Sequence, residues 1–452
     1  MGKIMKQIII AIMSLLATTG LHAQTGKPNV IFIMTDDVGY GDLGSYGAPD
    51  VSTPVLDRMA AEGVRFTDFY ANGPVCSPTR AGLMTGRYQQ RYDVEFPLAS
   101  SGETVASRGG HGLAAEGHSL PFLLKNAGYN TGLVGKWHLG YEENEIPEAH
   151  GFDYFFGFKA GYTDYYQHTN GEGGPDLWEY GELIEEEGYM TDMITERSIR
   201  YIHDHADEPF FLSIQYNAAH WPYQVPDMPS VAIRNAAHLQ PHEQGTSTRE
   251  AYVAMLERVD QGMDKIFAAL DAAGLDDNTL VIFTNDNGGE WLSRNYPLFN
   301  RKWTVWEGGI RVPAIMRWPG VIPAGQVTEQ VGITMDFTAT ILALAGAELP
   351  VGYVPEGIDL MPIVSGRSPV VARTLFWRGN PTTTAVRSGD MKLVMQGPGA
   401  AFLFNVKDDP GERNDLTNAG QAEVRRLRGL LDAWTADVNA EKAARMARLE
   451  ED

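Results

Sequence analysis

The chain has 452 residues, a formal net charge of −22 and one cysteine. Hydrophobic residues make up 43% of it and aromatic residues 10%, which is the composition of a globular protein with a substantial core. The acidic charge excludes nucleic acid as a general partner, because a protein that binds phosphates needs a basic surface. A single cysteine excludes an intramolecular disulfide.

The N-terminal residues have the pattern of a secretory signal peptide. Lys3 and Lys6 precede an apolar run at residues 8–16, and Leu-His-Ala at residues 21–23 fits a cleavage point. The run is shorter than the about 20 residues of a membrane span, and no later run approaches that length. We therefore predict a signal peptide over residues 1–23 and an exported protein, periplasmic or secreted, with no stable membrane insertion.

Short apolar or β-branched runs then alternate with helical stretches. We expect the runs to be buried parallel strands, and they lie at residues 29–34, 131–134, 210–215, 279–284 and 313–316. Over residues 250–273, apolar side chains recur at spacings of three and four, which predicts a helix with one apolar face. This alternation predicts an α/β fold, a mostly parallel central sheet between helices, with its site at the carboxyl ends of the strands.

The pattern changes near Ser368. Short strand-like runs follow at residues 375–377, 385–387, 391–395 and 402–405, and they predict an antiparallel sheet. The next stretch is helical, and its apolar face is formed by Val424, Leu427, Leu431, Trp434 and Val438. We predict a main domain over residues 24–368 and a small C-terminal subdomain of antiparallel sheet plus helix over residues 369–452, with the charged end at 441–452 frayed.

The lone cysteine lies in an unusual setting. Cys76 begins the run Cys-Ser-Pro-Thr-Arg at residues 76–80. Pro78 suits the first turn of a helix, so Cys76 is expected where unpaired helix N–H groups gather, and Arg80 adds positive charge beside it. Such a position favours an anion. The alternative is a buried free cysteine, which is what most isolated cysteines are.

Polar pairs follow two of the predicted strands. Asp36 and Asp37 end the first strand, and Asp286 and Asn287 follow the strand at 279–284. Taken alone, each pair is an ordinary turn or helix cap. Together they place three carboxylates and one amide oxygen at one edge of the sheet, an oxygen-only set that suits Ca²⁺ and, less well, Mg²⁺, and does not favour zinc.

Cationic and titratable side chains follow other strands. Lys136 and His138 come after the strand at 131–134, and His220 comes after the strand at 210–215. Lys302 stands four intervening residues before the run Glu-Gly-Gly-Ile-Arg-Val-Pro at 307–313. For any one of them, a solvated lysine or a hydrogen-bonded core histidine is the ordinary interpretation. Their shared placement after strands instead predicts that they gather around one anion.

These segments resemble the signatures of the formylglycine-dependent sulfatases. The similarity lies in Cys-x-Pro-x-Arg at 76–80 with Thr-Gly-Arg at 85–87, in Gly-Lys-Trp-His-Leu-Gly at 135–140 and in Glu-Gly-Gly-Ile-Arg-Val-Pro at 307–313, within matches that extend from Asn29 to Leu416. The resemblance implies an alkaline-phosphatase-like fold and the hydrolysis of sulfate esters. It also implies that a maturation enzyme oxidises Cys76 to formylglycine, whose hydrate supplies the nucleophilic oxygen.

The same resemblance implies the metal ligands. They are Asp36, Asp37, residue 76, Asp286 and Asn287, holding Ca²⁺ or, less suitably, Mg²⁺.

The resemblance also implies a role for each remaining site residue. Arg80 supports charge on the nucleophile, while Lys136 and Lys302 neutralise the sulfuryl oxygens. His220 protonates the leaving alcohol, and His138 removes a proton from the second hydroxyl of the hydrate, which expels sulfate. An acidic chain needs such a local cationic pocket to attract a sulfate ester.

The substrate is less visible in the sequence. Export and eight aromatic residues at 151–170 favour a sulfated carbohydrate. The stretch holds Phe152, Tyr154, Phe158, Tyr162 and Tyr166 and ends in Gln167 and His168, and its tyrosines and histidine are the candidates for sugar contacts. The alternative is that most of these aromatics pack the loop against the core, which we expect for Phe155 and Phe156. Further candidates, none assigned, are Arg87, Arg91, His111, His118 and His150.

Two alternatives stay open. One is a phosphate or phosphonate ester hydrolase of the same superfamily, against which Lys302 and the two histidines argue. The other is a non-catalytic sulfoglycan-binding protein, for which a degraded motif would be the sign, and every catalytic position here is intact.

Overall fold

The computed structural model describes residues 26–98, 112–227, 247–380, 382–397 and 399–449. The predicted signal peptide at 1–23 lies outside these residues, as does His111. Within the described ranges, no helix is both long enough and apolar enough to cross a membrane.

A large sheet forms the centre of the molecule. The strands of the main domain are β1 (Asn29–Thr35), β2 (Val64–Phe66), β3 (Phe69–Tyr70), β4 (Asn130–Lys136), β5 (Tyr154–Phe158), β6 (Trp178–Glu179), β7 (Glu182–Leu183), β8 (Phe210–Gln215), β9 (Thr279–Asn285), β10 (Ala314–Arg317), β11 (Gln326–Thr328) and β12 (Gly332–Ile333). Ten of them form one sheet in the order β11-β2-β10-β9-β1-β8-β4-β5-β6-β7, and β3 pairs with β12.

The direction of the strands largely agrees with the sequence. Strands β9, β1, β8, β4 and β5 are parallel neighbours, as predicted for the centre of the sheet. The expectation of a parallel strand at residues 313–316 is wrong, because β10 runs antiparallel to β9, with Ile315 opposite Phe283. A strand buried on both faces has the same apolar sequence in either direction, so its composition could not reveal this.

Helices cover both faces of the sheet. They are α1 (Pro54–Glu62), α2 (Cys76–Thr85), α3 (Leu120–Asn126), α4 (Met190–Asp204), α5 (Arg249–Ala272), α6 (Glu307–Ile310), α7 (Thr334–Ala345) and α8 (Met361–Val364). Strand β1 shows why two layers form: Ile31 and Ile33 pack in one core cluster with α5, whereas Val30 and Phe32 pack in another with α7. Successive side chains of a strand point to opposite faces, so an entirely apolar strand needs cover on both.

The C-terminal part has the predicted antiparallel sheet and helix. Its elements are β13 (Thr374–Asn380), β14 (Thr383–Ser388), β15 (Met391–Gln396), β16 (Ala400–Asn405) and α9 (Gln421–Leu449), and the strands pair antiparallel in sequence order. On α9, Leu427 and Trp434 are buried in one core cluster with Trp306 of the main domain. The small sheet therefore shares its core with the main domain, and a division at residue 368 stays a prediction.

The expectation that residues 441–452 fray is wrong for the part that the structure describes, because α9 continues to Leu449. Arg445 is buried, pairs with Glu116 at 2.5 Å and packs on the Tyr92 ring. Glu441 pairs with Arg87 and Arg91. The charges that indicated a solvated end are in fact neutralised by the main domain, so this end of the helix is docked.

Candidate active site

Cys76 is the first residue of α2, as its setting in the sequence predicted. Val75 before it is extended, and Gly86 ends the helix in the left-handed region at φ 61°. The Thr79 hydroxyl accepts the Gly73 N–H at 3.0 Å and so fixes the chain entering the helix. Cys76 is buried, and its Sγ lies 3.6 Å from Asp36 Oδ1. The helix start thus brings residue 76 to the end of β1.

The sheet register explains why two distant acidic pairs meet. Thr35 at the end of β1 lies beside Asn285 at the end of β9, so the residues that follow, Asp36, Asp37 and Asp286, emerge at the same edge. One ligand atom each of Asp36, Asp37, Cys76 and His220 lies within 4.8 Å of all the others. The Asn287 amide donates to Asp37 Oδ1 at 2.8 Å. All five predicted metal ligands therefore lie together, with His220 beside them.

Each carboxylate has its own cationic partner. Lys136 Nζ lies 2.5 Å from Asp36 Oδ2, and Lys302 Nζ lies 2.7 Å from Asp37 Oδ1. Arg80 lies 3.0 Å from Asp286 Oδ2 and 3.9 Å from Asp36 Oδ2. All six side chains are buried. A buried charge is tolerated only when it is paired, so these contacts explain how six charges persist next to a hydrophobic core.

The pKa values in this cluster follow from burial and neighbouring charge. Burial would raise the pKa of Asp36, but Lys136, followed by His220 and Arg80, lowers it below its ordinary value. For Asp286 the order is reversed, because burial and the Asp36 charge outweigh Arg80 and raise the pKa. Burial also raises the pKa of the Cys76 thiol, with Asp286 and Asp36 adding to the effect. An unmodified Cys76 is therefore a neutral thiol.

Two acceptor atoms in the cluster show whether a cation fits. Asp286 Oδ1 and Asn287 Oδ1 are buried, and neither has a hydrogen-bond donor among the residues that the structure describes. A buried acceptor without a partner costs free energy, which a hard cation recovers by accepting oxygen ligands. These two oxygens, together with the carboxylates of Asp36 and Asp37, form a donor set that fits Ca²⁺ or Mg²⁺.

The hydrogen bonds of the two histidines fix their tautomers. His138 Nε2 lies 3.0 Å from the Leu98 carbonyl, which can only accept, so Nε2 carries the proton and the buried Nδ1 presents a lone pair. Burial, followed by the Lys136 charge, holds the pKa of His138 well below its usual value. In His220, Nδ1 donates to the Trp221 carbonyl at 2.5 Å, and Nε2 lies 3.6 Å from Asp37 Oδ2. The His138 imidazole is thus suited to accept a proton at Nδ1, and His220 presents Nε2 beside the Asp37 carboxylate.

Sequence reasoning missed two residues of this site, Gln215 and Glu290. Gln215 Oε1 accepts from Arg80 at 2.9 Å and so orients the guanidinium towards Asp286. Glu290 Oε2 lies 3.7 Å from Lys302 Nζ, and the Tyr162 ring stacks on His220 at 5.9 Å. Gln215 could have been found, because it is a polar residue at the carboxyl end of a buried strand.

Most of the suggested substrate contacts are structural instead. Phe152, Tyr154, Phe155, Phe156 and Phe158 are buried in the core, and His168 is buried with its ring bonded to the Gly188 carbonyl. Arg87 and Arg91 pair with carboxylates of Glu356 and α9, His118 contacts Tyr92, and His150 contacts the Leu113 carbonyl. Of the suggested aromatics, Tyr162 is the one that contacts a candidate catalytic group among the described residues.

Comparisons with known proteins agree with this arrangement. The sulfatase family model matches residues 28–347, and a second one, for the C-terminal part of N-sulphoglucosamine sulphohydrolase, matches residues 295–431. N-acetylgalactosamine-6-sulfatase of Rattus norvegicus is 36% identical over 409 residues, which cover 86% of this chain and 75% of the relative. Arylsulfatase A of Bos taurus is 32% identical over 468 residues, which cover 90% and 86%.

Among solved structures, the crystal structure of Ps i-CgsB in complex with k-i-k-neocarrahexaose superposes with a TM-score of 0.80 at 29% identity, covering 90% of this chain and 92% of that one. The family match spans the segments that supply Cys76, both acidic pairs and the cations around them. On this match and these identities, the chain belongs to the sulfatases, the enzymes that hydrolyse sulfuric esters.

Proposed function

We propose that this protein is an exported carbohydrate sulfatase that uses a bound Ca²⁺ ion and a formylglycine made from Cys76. The observation that carries the proposal is the cluster around residue 76, in which three carboxylates and three cations surround the start of a buried helix. The carbohydrate substrate is supported by the relative that acts on N-acetylgalactosamine 6-sulfate and by the structural neighbour solved with a carrageenan oligosaccharide.

Asp36, Asp37, Asp286 and Asn287 would hold the calcium ion, together with residue 76. When bound, the ion would withdraw charge from the sulfuryl oxygens. Within the cluster, three cationic side chains already balance three carboxylates. A bound divalent cation would therefore give the site an excess of positive charge. This excess would attract an anionic ester to a protein whose overall charge is −22.

Formylglycine at residue 76 would supply, as its hydrate, two hydroxyl groups on one carbon. Lys136 and Lys302 would neutralise the sulfuryl oxygens, and Arg80, held by Gln215, would support charge at the nucleophile. His220 Nε2 would donate a proton to the departing alcohol oxygen. His138, with the lone pair of Nδ1 free, would accept a proton so that sulfate can leave.

The alternative activities are less well supported. A phosphate or phosphonate ester hydrolase fits the same fold, but relatives above 30% identity include sulfatases for both a sugar and other sulfate esters. A sulfoglycan-binding protein without turnover would not need the intact run Cys-Ser-Pro-Thr-Arg at 76–80. The division into a catalytic domain over 24–368 and a C-terminal subdomain over 369–452 belongs to this proposal, as does export after cleavage of residues 1–23.

The first test is the mass of the tryptic peptide of residues 66–80, from protein made in a host that has the maturation enzyme. A mass that matches replacement of the thiol by an aldehyde supports the nucleophile. An unmodified thiol, in a host shown to mature a control sulfatase, contradicts it.

The second test measures sulfate release from sulfated galactose, N-acetylgalactosamine, glucosamine and fucose derivatives, with and without a calcium chelator. Cys76→Ala serves as the matched variant, since it should fold and bind but not turn over. Sulfate and phosphate esters of one alcohol separate the sulfatase from the phosphatase alternative. Faster phosphate hydrolysis, or binding of all sugars without turnover, would contradict the proposal.

A further inference from the structure

A short segment beside the site exposes an unusual number of aromatic rings. Trp291 is 41% exposed, Tyr296 74%, Phe299 48% and Trp303 52%. Of the six exposed phenylalanine, tyrosine and tryptophan side chains in the described part of the chain, these are four. Exposed apolar surface that is grouped and rimmed by polar residues usually marks a binding site. We refer to Trp291, Tyr296 and Phe299 as the aromatic platform.

The platform and residues of the C-terminal part together line a cleft of about 310 Å³. This volume is within the size range of ligand sites. Arg301 and Arg413 also line it. The Arg301 guanidinium lies 3.6 Å from the centre of the Trp291 ring. Arg301 is half-buried and Arg413 is exposed, and among the residues that can be described neither guanidinium forms an ion pair. Glu290 also lines the cleft, but its carboxylate lies 3.7 Å from Lys302 and accepts from the Trp303 indole. The cleft therefore combines flat apolar faces with two guanidinium groups that form no ion pair among the described residues.

The cleft is joined to the catalytic cluster by short contacts. The Ser293 hydroxyl donates to the Asp37 carbonyl at 2.7 Å, and the Trp303 indole donates to Glu290 at 2.9 Å. Glu290 in turn lies 3.7 Å from Lys302. The Trp303 backbone N–H donates to the Pro74 carbonyl, two residues before Cys76. The segment that carries the platform is therefore packed directly against the catalytic cluster.

We propose that the platform, with Arg301 and Arg413, is a subsite for a second, anionic sugar unit adjacent to the one that is desulfated. The apolar face of a pyranose ring packs on an aromatic ring, and a sulfate or carboxylate group on the same sugar accepts paired hydrogen bonds from a guanidinium. The combination selects an anionic oligosaccharide over a neutral sugar or a small aryl sulfate. This inference rests on the proposed function, because it needs a carbohydrate in the active site.

The test compares each substrate with a shorter version of itself. The pairs are a carrageenan hexasaccharide with galactose sulfate, and a galactosaminoglycan tetrasaccharide sulfated at O6 with N-acetylgalactosamine 6-sulfate. For Arg301→Ala, Arg413→Ala and Tyr296→Ala we expect kcat/KM on the longer substrate to fall about 10-fold or more, mainly through KM, since hydrogen bonds to charged groups and ring contacts are lost. On the monosaccharide, kcat/KM should stay within about 3-fold. Arg413→Lys should be intermediate, because it keeps the charge and loses the fork.

Matched controls are Arg428→Ala and Tyr180→Ala, which remove an exposed arginine and an exposed tyrosine that do not line the cleft. They should leave both rates unchanged. Equal losses on long and short substrates, or no loss on either, would overturn the subsite while the sulfatase proposal stands. If the matured wild-type enzyme releases sulfate from none of the sugars, the proposed function fails, and the subsite fails with it.

Discussion

Two buried lysines in this molecule have similar surroundings and different consequences. Lys302 lies 2.7 Å from Asp37 and 3.7 Å from Glu290, at the carboxyl edge of the large sheet. Lys392, on the small sheet, lies 2.8 Å from Glu307 and 2.9 Å from Glu412. Both lysines are buried between two carboxylates, so residue types and burial alone do not distinguish them.

The difference lies in which acceptors are satisfied. Three of the four carboxylate oxygens of Glu307 and Glu412 accept hydrogen bonds, from Lys392, Arg311, Tyr70 and a backbone N–H. The fourth, Glu412 Oε1, accepts no hydrogen bond among the described residues but lies 2.9 Å from Lys392 Nζ as an ion pair, so every oxygen faces a donor or a cation. In the cluster around Lys302, Asp286 Oδ1 and Asn287 Oδ1 have no donor among the described residues. We call the cluster around Lys392 saturated, because each of its carboxylate oxygens faces a donor or a cation, and such a cluster holds two parts of a fold together. The cluster around Lys302 has unused acceptor oxygens, which can bind a cation.

The largest effect should come from Asp286→Ala. Because it removes one unused acceptor and the partner of Arg80, we expect turnover to fall by about 10³-fold or more. Added calcium should raise the melting temperature of the wild type and should raise that of the variant much less, since a bound ligand stabilises the folded state. Sulfate release and thermal unfolding with calcium or with chelator measure both effects. An active variant with an intact calcium response would remove Asp286 from the metal site.

The second effect tests the saturated cluster. Lys392→Met leaves two buried carboxylates without their shared cation, so we expect the free energy of unfolding to fall by about 3–5 kcal/mol. Specific activity per folded molecule should stay within about 3-fold, because Lys392 contacts none of the proposed catalytic groups. Adding Glu412→Gln should recover part of the loss by removing one of the two charges. Urea unfolding gives the stabilities. Loss of turnover at full stability would show that the two clusters do not differ as argued.

The sequence predicted the first cluster far better than the second. Asp36, Asp37, Asp286 and Asn287 follow apolar strands, so their common edge could be read from the pattern. Lys392 lies in an apolar strand like many other residues, so its sequence neighbours do not show that it is buried in an ionic cluster. Its partners lie on other elements, and only the tertiary structure shows how those elements pack.

Other errors have the same origin. The direction of β10 depends on its connection, not on its composition. The sequence leaves open whether the aromatics at 151–170 bind a sugar or pack in the core, and the structure shows that most are core. The exposed rings at 291–303 have no sequence signal, because exposure cannot be read from residue type.

A third effect concerns pH. Burial, opposed by Lys392 and aided by the Glu307 charge, raises the pKa of Glu412 to about 7, from an ordinary value of 4.5. The folded state thus binds this proton more tightly than the unfolded chain. The contribution of Glu412 to the free energy of unfolding is therefore present at low pH and is lost as the pH rises from the pKa of the unfolded chain to that of the folded state.

Glu412→Gln removes this dependence. Between about pH 5 and pH 7 the free energy of unfolding of the wild type should fall by up to about 1.4 kcal/mol per pH unit more than that of the variant. Urea unfolding of both proteins across this range measures the difference in slope. Parallel curves would mean that Glu412 is ionised throughout, with Lys392 dominating over burial.

The smallest effect is expected where ionic contacts reach solvent. Glu441 near the end of α9 lies 2.6 Å from Arg87 and 2.7 Å from Arg91, but its side chain is 37% exposed, and Arg91 keeps Glu356 and Asp437 as partners. Because solvent screens this pair and the arginines stay neutralised, Glu441→Gln should cost less than about 1 kcal/mol, and less again at high salt. Urea unfolding at two salt concentrations measures it. If Glu441→Gln lowered the free energy of unfolding as much as Lys392→Met, docking of the terminal helix would depend on this pair as strongly as the small sheet depends on Lys392. Solvent exposure would then not be what distinguishes a strong ionic contact from a weak one.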